Sequence, residues 1–123
     1  MAETETTVVI VDDHDGFRRM ARRLLESEGY QVVGEAADGR SALATIATLR
    51  PRLVVLDIQL PDIDGFEVAR LVSRDHRETG IVLTSSRSAT DYGTRIADSP
   101  ARGFVAKADL SGPALSGLLG EDR

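Results

Sequence analysis

The chain has 123 residues, 41% of them hydrophobic and 28% charged, which suits one globular domain able to bury a core without staples. It contains no Cys, so disulfide scaffolds, zinc–thiolate centres and thiol nucleophiles are excluded. Fifteen basic against twenty acidic side chains leave a net charge of −5, which argues against wrapping nucleic acid or an anionic membrane surface. The longest uninterrupted apolar runs, such as Val8–Val11 and Leu53–Leu56, are far too short to span a bilayer. An acidic start, Met1-Ala-Glu-Thr-Glu, without a signal-peptide stretch, together with the absence of Cys, sets the cytoplasm as the expected location.

Short β-type runs alternate with helical patterns five times. The first strand is read at Thr7–Val11. A helix follows in which Phe17, Met20, Ala21, Leu24 and Leu25 recur on one face, Arg18, Arg19, Arg22 and Arg23 occupy the other, and Gly29 stops the turn. Gln31–Ala36 is a more mixed strand that suits a sheet edge. The second helix has Asp38 as its N-cap and points Leu43, Ile46 and Ala47 inward. Strand Leu53–Leu56 leads to a helix opened by a capping-box-like Asp64-Gly-Phe-Glu67, which buries Val68, Leu71 and Val72. Strand Ile81–Leu83 precedes a weak helical stretch around Thr90–Ala97, where Thr, Ser and Gly93 are poor helix formers. Strand Gly103–Val105 comes last, followed by a helix from Ser111 with Pro113 in its first turn and Leu115, Leu118 and Leu119 inserted.

Four of the five strands are nearly continuous apolar runs, the pattern of parallel strands covered on both faces. Five strand–helix units predict an α/β fold: a flavodoxin-like (βα)5 doubly wound parallel sheet of order 2-1-3-4-5. The expected organisation is a single domain over residues 1–123, its core about 6–119, with no output domain.

Open sheets of this kind bind ligands at the carboxyl ends of their strands. Strand one exits into Asp12-Asp13, strand three into Asp57, strand four into Thr84, and strand five, one residue later, into Lys107. Strand ends are also where polar residues simply resume, but four groups converging on one rim weigh against that. Carboxylates ~4 Å apart repel by about 4 kcal/mol at an effective dielectric of ~20, so such a cluster raises its pKa values or recruits a cation. Hard oxygen donors favour Mg²⁺, which in turn leaves room for a phosphoryl group. Asp57 caps the most apolar strand and is the best candidate nucleophile; Lys107 and Thr84 supply donors to the charge that would develop. Lys107 stands out for another reason: the other fourteen basic residues are all Arg.

These residues carry a family resemblance. From about residue 6 to 119 the chain resembles the receiver domain of two-component response regulators, on Asp12-Asp13 after Val-Val-Ile-Val, Val-Val-Leu-Asp57 followed by Ile-Gln-Leu-Pro61-Asp-Ile-Asp-Gly65, Val-Leu-Thr84-Ser, and Gly103-Phe-Val-Ala-Lys107. The resemblance implies that Asp57 accepts a phosphoryl group from a histidine kinase or phosphotransfer protein. It implies that Asp12, Asp13, Asp57 and the main-chain carbonyl of Gln59 hold Mg²⁺, that Lys107 holds phosphoryl oxygens, and that Thr84 and Phe104 move together as the switch. The output surface would be the face of helix four, strand five and helix five, meeting a partner the sequence does not name, with homodimerisation on phosphorylation as one outcome. No enzyme turnover is expected beyond self-phosphorylation and self-dephosphorylation of Asp57. The chain departs from the commoner pattern at Ala108, where many receivers have Pro, and at Phe104, which lacks the hydroxyl of Tyr; the resemblance implies that Gln59 and Ser86 occupy positions that tune dephosphorylation. It reads as a stand-alone receiver or one excised from a longer protein.

Two other functions compete. A haloacid-dehalogenase-like phosphohydrolase also places an Asp nucleophile and Mg²⁺ at a strand end, but its second Asp two residues on is replaced here by Gln59. A flavin-binding electron carrier would suffer repulsion between its phosphate and the carboxylates. His14, beside the acid pair, has metal ligation as an alternative but reads first as an exposed loop residue, and His76 reads as surface, while the Arg18/Arg19/Arg22/Arg23 stripe reads as a solvated face, or alternatively a contact for a kinase. Tyr92 is open between plain packing and a place on the output face.

Overall fold

A computed structural model describes residues 6–119. Strands β1 (Thr7–Val11), β2 (Gln31–Ala36), β3 (Leu53–Asp57), β4 (Gly80–Ser85) and β5 (Gly103–Ala106) form one parallel sheet in the order β2-β1-β3-β4-β5. Helices α1 (Asp15–Ser27), α2 (Gly39–Leu49), α3 (Gly65–Asp75), α4 (Arg95–Asp98) and α5 (Gly112–Leu119) complete the flavodoxin-like arrangement. β2 is an edge strand, as its mixed composition predicts. Three strands run past their expected ends: Asp57 is the last residue of β3, β4 takes in Gly80, Thr84 and Ser85, and β5 takes in Ala106, because the parallel ladder continues through the pairs Asp57–Thr84 and Ser85–Ala106.

The core has two layers. One face of the sheet packs Val9, Val11, Val54, Leu56 and Leu83 against Ala42, Ile46, Val68 and Val72 from α2 and α3. The other packs Val8, Ile10, Val55 and Val82 against Ala21, Leu25 and Leu115 from α1 and α5. Alternate residues of each central strand therefore serve opposite layers, which is why these strands are apolar throughout.

Helix signals resolve in detail. Asp38 caps α2 by accepting from Ser41 N–H at 2.8 Å, Ser111 accepts from Ala114 N–H at 3.1 Å, and Gly29 takes φ +96° after α1. Asp64 caps α3 through Phe66 N–H at 2.6 Å, but the expected box does not close: the Glu67 carboxylate turns along the helix to Arg70, at 2.6 and 3.0 Å. Met20 is 45% exposed and Ala47 is exposed as well, both lying at the edge of their apolar stripes rather than in them, and Leu71 is only half-buried. The Leu119 side chain lies outside what is described. The weak fourth helix splits into a 3-10 turn, Ala89–Tyr92, and the single turn of α4, separated by Gly93 at φ +58°.

Candidate functional site

The strand order brings β1, β3, β4 and β5 side by side, so their carboxyl ends share one rim. Asp12 is fully buried, Asp57 is 3% exposed, Thr84 is fully buried, and Asp13 is exposed at the surface of the same pocket. Lys107 begins a 3-10 turn directly after β5. Its Nζ lies 2.6 Å from Asp12 Oδ2 and 3.5 Å from Asp57 Oδ2, while the ammonium sits 4.8 Å over the centroid of the Phe17 ring. One lysine thus bridges carboxylates from two strands, its charge packed on an aromatic face. A guanidinium could not be this compact point charge. The difference answers why the only Lys among so many Arg stands at this position.

Around Asp57 the chain is drawn tight. Gln59 N–H donates to Asp57 Oδ1 at 3.2 Å, and Gly65 N–H donates to Ile58 O at 2.8 Å. A Cβ on Gly65 would lie 2.4 Å from the Asp57 carbonyl oxygen and 2.7 Å from Ile58 Cα, so α3 can begin here only with glycine. Farther along the loop, Asp62 accepts from Gly39 N–H at 2.7 Å and Arg40 N–H at 2.9 Å, on the first turn of α2. Those amides, with that of Ile63, overcome the upward pull of desolvation and hold the Asp62 carboxyl below its ordinary value.

Burial, and then the charge of Asp12, push Asp57 up to about 6; the Gln59 amide and Lys107 pull it only part of the way back. Burial would lower Lys107, yet its hydrogen bond to Asp12 and the Asp57 charge more than offset that and raise it. Asp12, Asp13, His14 and Asp57 each offer a ligand atom within 4.8 Å of the others, an acidic pocket compatible with a metal ion. Thr84 Oγ1 is buried without a hydrogen-bond partner, a polar atom suited to a ligand oxygen.

Every site residue singled out by sequence reaches this rim except Phe104, which lies on β5 against the α3–α4 layer. There Phe66, Tyr92 and Phe104 form a row, with centroids 5.9 and 6.4 Å apart. Tyr92 OH meets Ser85 Oγ at 2.6 Å, one residue after Thr84, so Tyr92 adds a polar contact to its packing. The arginine stripe is only half solvated. Arg18 donates to Glu35 Oε1 at 3.0 Å and to the Asp12 carbonyl at 2.6 Å, and Arg22 donates to Glu35 Oε2 at 2.8 Å. Glu35, on edge strand β2, is held below its ordinary value chiefly by the Arg22 hydrogen bond. Only Arg19 and Arg23 face solvent. His14 is exposed, as expected, yet its ring turns toward the acids; His76 is half-buried where α3 ends rather than at the surface.

A model of the response regulator receiver domain matches residues 8–111, and with them all of these rim groups. The chain belongs to that family. It is 34% identical over 101 residues to the response regulator GacA of Pseudomonas protegens, covering 81% of this chain and 47% of GacA. It is 30% identical over 99 residues to the DNA-binding transcriptional activator EvgA of Escherichia coli, covering 80% of this chain and 48% of EvgA. The chain therefore spans about half the length of these curated relatives. Among solved structures, the signal receiver domain of the response regulator NarL from Mycobacterium tuberculosis superposes with a TM-score of 0.85 at 31% identity, covering 97% of this chain and 100% of that one. The chemotaxis response regulator CheY4 of Vibrio cholerae gives 0.80 at 28% identity, over 95% and 98% of the two chains. Receivers are signalling modules that interact with kinases or phosphotransfer proteins, and the haloacid-dehalogenase-like alternative finds no support. No helix among the described residues is long and apolar enough to cross a membrane.

Proposed function

We propose that residues 6–119 act as a single receiver unit in which Asp57 is the phosphoacceptor. The observation that carries this reading is Lys107 Nζ poised between Asp12 and Asp57 beside the unpartnered, buried Thr84 hydroxyl. An Asp57 carboxylate oxygen attacks the phosphorus of a phosphohistidine; the new O–P bond forms as the P–N bond breaks, and the imidazole nitrogen departs and takes up a proton. The product is an acyl phosphate. Lys107 and Thr84 then face its oxygens with one cation and one hydroxyl donor, an arrangement built before the charge arrives. Asp12, Asp13, Asp57 and the Gln59 carbonyl would hold Mg²⁺, which supplies charge neutralisation between carboxylates and phosphoryl oxygens. Water attack on the same phosphorus breaks the Asp57 O–P bond, releases inorganic phosphate and returns the Asp57 carboxylate, with exposed Gln59 and Ser86 flanking the route.

The signal leaves through Thr84 and Phe104. A Thr84 hydroxyl that finds the phosphoryl group turns within a packed strand end, and Phe104 adjusts on the neighbouring strand. Tyr92, within the short 89–98 segment, is bonded to Ser85 next to Thr84 and lies beside the Phe104 ring, so the face made by α4, β5 and α5 is where partner affinity changes. We place the protein in the cytoplasm, with a separate output partner or a second copy of this chain on that face, and with no nucleic-acid contact made by the receiver itself.

Intact-mass spectrometry after incubation with a small phosphodonor tests the core of this reading. One phosphoryl adduct is expected, dependent on Mg²⁺, abolished by EDTA and absent from Asp57→Asn. A wild-type adduct that persists in Asp57→Asn would move the acceptor elsewhere and end the proposal.

A further inference from the structure

Among the described residues His14 is the one imidazole beside the acids, and the receiver reading gives it no task. It precedes α1 as the N-cap residue, yet its side chain makes no capping hydrogen bond. Instead its Nδ1 lies 3.1 Å from Asp12 Oδ1 and 3.1 Å from Asp13 Oδ1. The backbone holds it there: His14 N–H donates to the same Asp12 oxygen at 2.9 Å, and its carbonyl accepts from Arg18 N–H at 3.1 Å.

These separations have a chemical meaning. Ligand atoms about 2.1 Å from a divalent cation stand about 3.0 Å apart along an octahedral edge and about 3.4 Å along a tetrahedral one. Nδ1 is equally close to oxygens of two different carboxylates and within that range of both. Nδ1 already hydrogen-bonds Asp12 Oδ1, and a cation seated between the acids would take the place of that proton. The ring is also 70% exposed, so presenting its lone pair to a cation requires little desolvation.

Three carboxylates alone form an oxygen site, suited to Mg²⁺; an imidazole changes the set to nitrogen plus oxygen, which suits zinc and the later first-row metals. Resting on the receiver reading of the acid pocket, we propose that His14 Nδ1 is a metal ligand, which makes the pocket a mixed site for divalent transition cations such as Zn²⁺ as well as for Mg²⁺. The chemistry of an oxygen-only site is thereby widened by one residue. Zn²⁺ seated there would compete with Mg²⁺ for the same carboxylates.

The test uses the untagged chain at neutral pH, with ZnCl₂ and MgCl₂ as probes. Calorimetric titration of wild type and His14→Asn is expected to show Zn²⁺ affinity falling by about tenfold, the low end of what even an outer-shell change costs a metal site. Mg²⁺ affinity should stay within about twofold, since Mg²⁺ prefers oxygen and keeps its waters. A second measurement needs no variant: in ¹⁵N-histidine spectra of wild type, Zn²⁺ should shift His14 Nδ1 and leave His76 in place. An unmoved His14 resonance, or equal losses for the two cations in His14→Asn, would overturn the inference while leaving Mg²⁺-dependent phosphorylation of Asp57 intact. A wild-type chain that binds neither cation would overturn both this inference and the acid-pocket reading beneath it.

Discussion

Replacing Asp57 by Asn removes a charge that burial and the Asp12 carboxylate disfavour. Burial and the neighbouring Asp12 charge raise this carboxyl from its ordinary 3.8 to about 6, a gap worth about 3 kcal/mol at full ionisation. The sign follows from proton binding. Because the folded chain holds this proton more tightly than the unfolded chain, the group favours folding below about pH 4 and loses that contribution as pH rises through about 6. In EDTA, Asp57→Asn should therefore be more stable than wild type by up to about 3 kcal/mol above pH 7, with the gain fading to nothing near pH 4. Lys107 loses one partner in the variant but keeps Asp12 at 2.6 Å, so the figure is an upper bound. Urea unfolding of both proteins at pH 4, 5, 6, 7 and 8 measures it, and other titrating groups cancel in the difference. A variant no more stable at pH 8, or stabilised equally at every pH, would refute the claim that an ionised Asp57 strains this fold. Adding Mg²⁺ at pH 8 should stabilise wild type more than the variant, because ligand binding to the folded state alone adds stability.

Three other perturbations probe neighbouring parts of the structure. Lys107→Met removes the cation 3.5 Å from Asp57 and should raise the Asp57 pKa further above about 6, which carboxyl ¹³C titration would show; an unchanged midpoint contradicts the ion-pair geometry. Gly65→Ala puts a methyl 2.4 Å from the Asp57 carbonyl oxygen and should cost about 1–3 kcal/mol in urea unfolding, whereas a change below about 0.5 kcal/mol would mean the loop yields freely. Tyr92→Phe breaks the 2.6 Å bond to Ser85 and should cost about 1 kcal/mol; amide exchange ought to quicken across residues 89–98 and not in β1 or β3.

Much of the architecture was legible because parallel strands covered on both faces leave a plain chemical trace. Val8–Val11 and Leu53–Leu56 are apolar at every position, and each serves two layers. The rim groups were equally legible, since topology alone carries Asp12, Asp57, Thr84 and Lys107 to one edge. What escaped were pairings set by tertiary geometry. Arg18 and Arg22 look like solvent-facing charges on a helical wheel; only the placement of β2 beside α1 brings Glu35 between them. Glu67 sits at the spacing of a capping box, yet Arg70 one turn on offers it a charged partner, and a paired guanidinium wins over a neutral amide. Met20 and Ala47 satisfy helical periodicity but fall outside the arc the sheet covers. No periodicity marks the short contact between Tyr92 and Ser85, because the 89–98 segment lacks a regular repeat.

The loop that leaves Asp57, the proposed phosphoacceptor, is braced at both ends before any ligand comes. Gly65 closes it against Ile58, and Asp62 grips two amides at the start of α2. A segment held in this way has already surrendered the conformational freedom that organising around a phosphoryl group would otherwise demand. Loosening Asp62, a residue that touches none of the reacting groups, should therefore slow acceptance of the phosphoryl group while leaving the acid pocket itself in place. The timing of the signal would then be governed in part by the anchorage of a neighbouring helix.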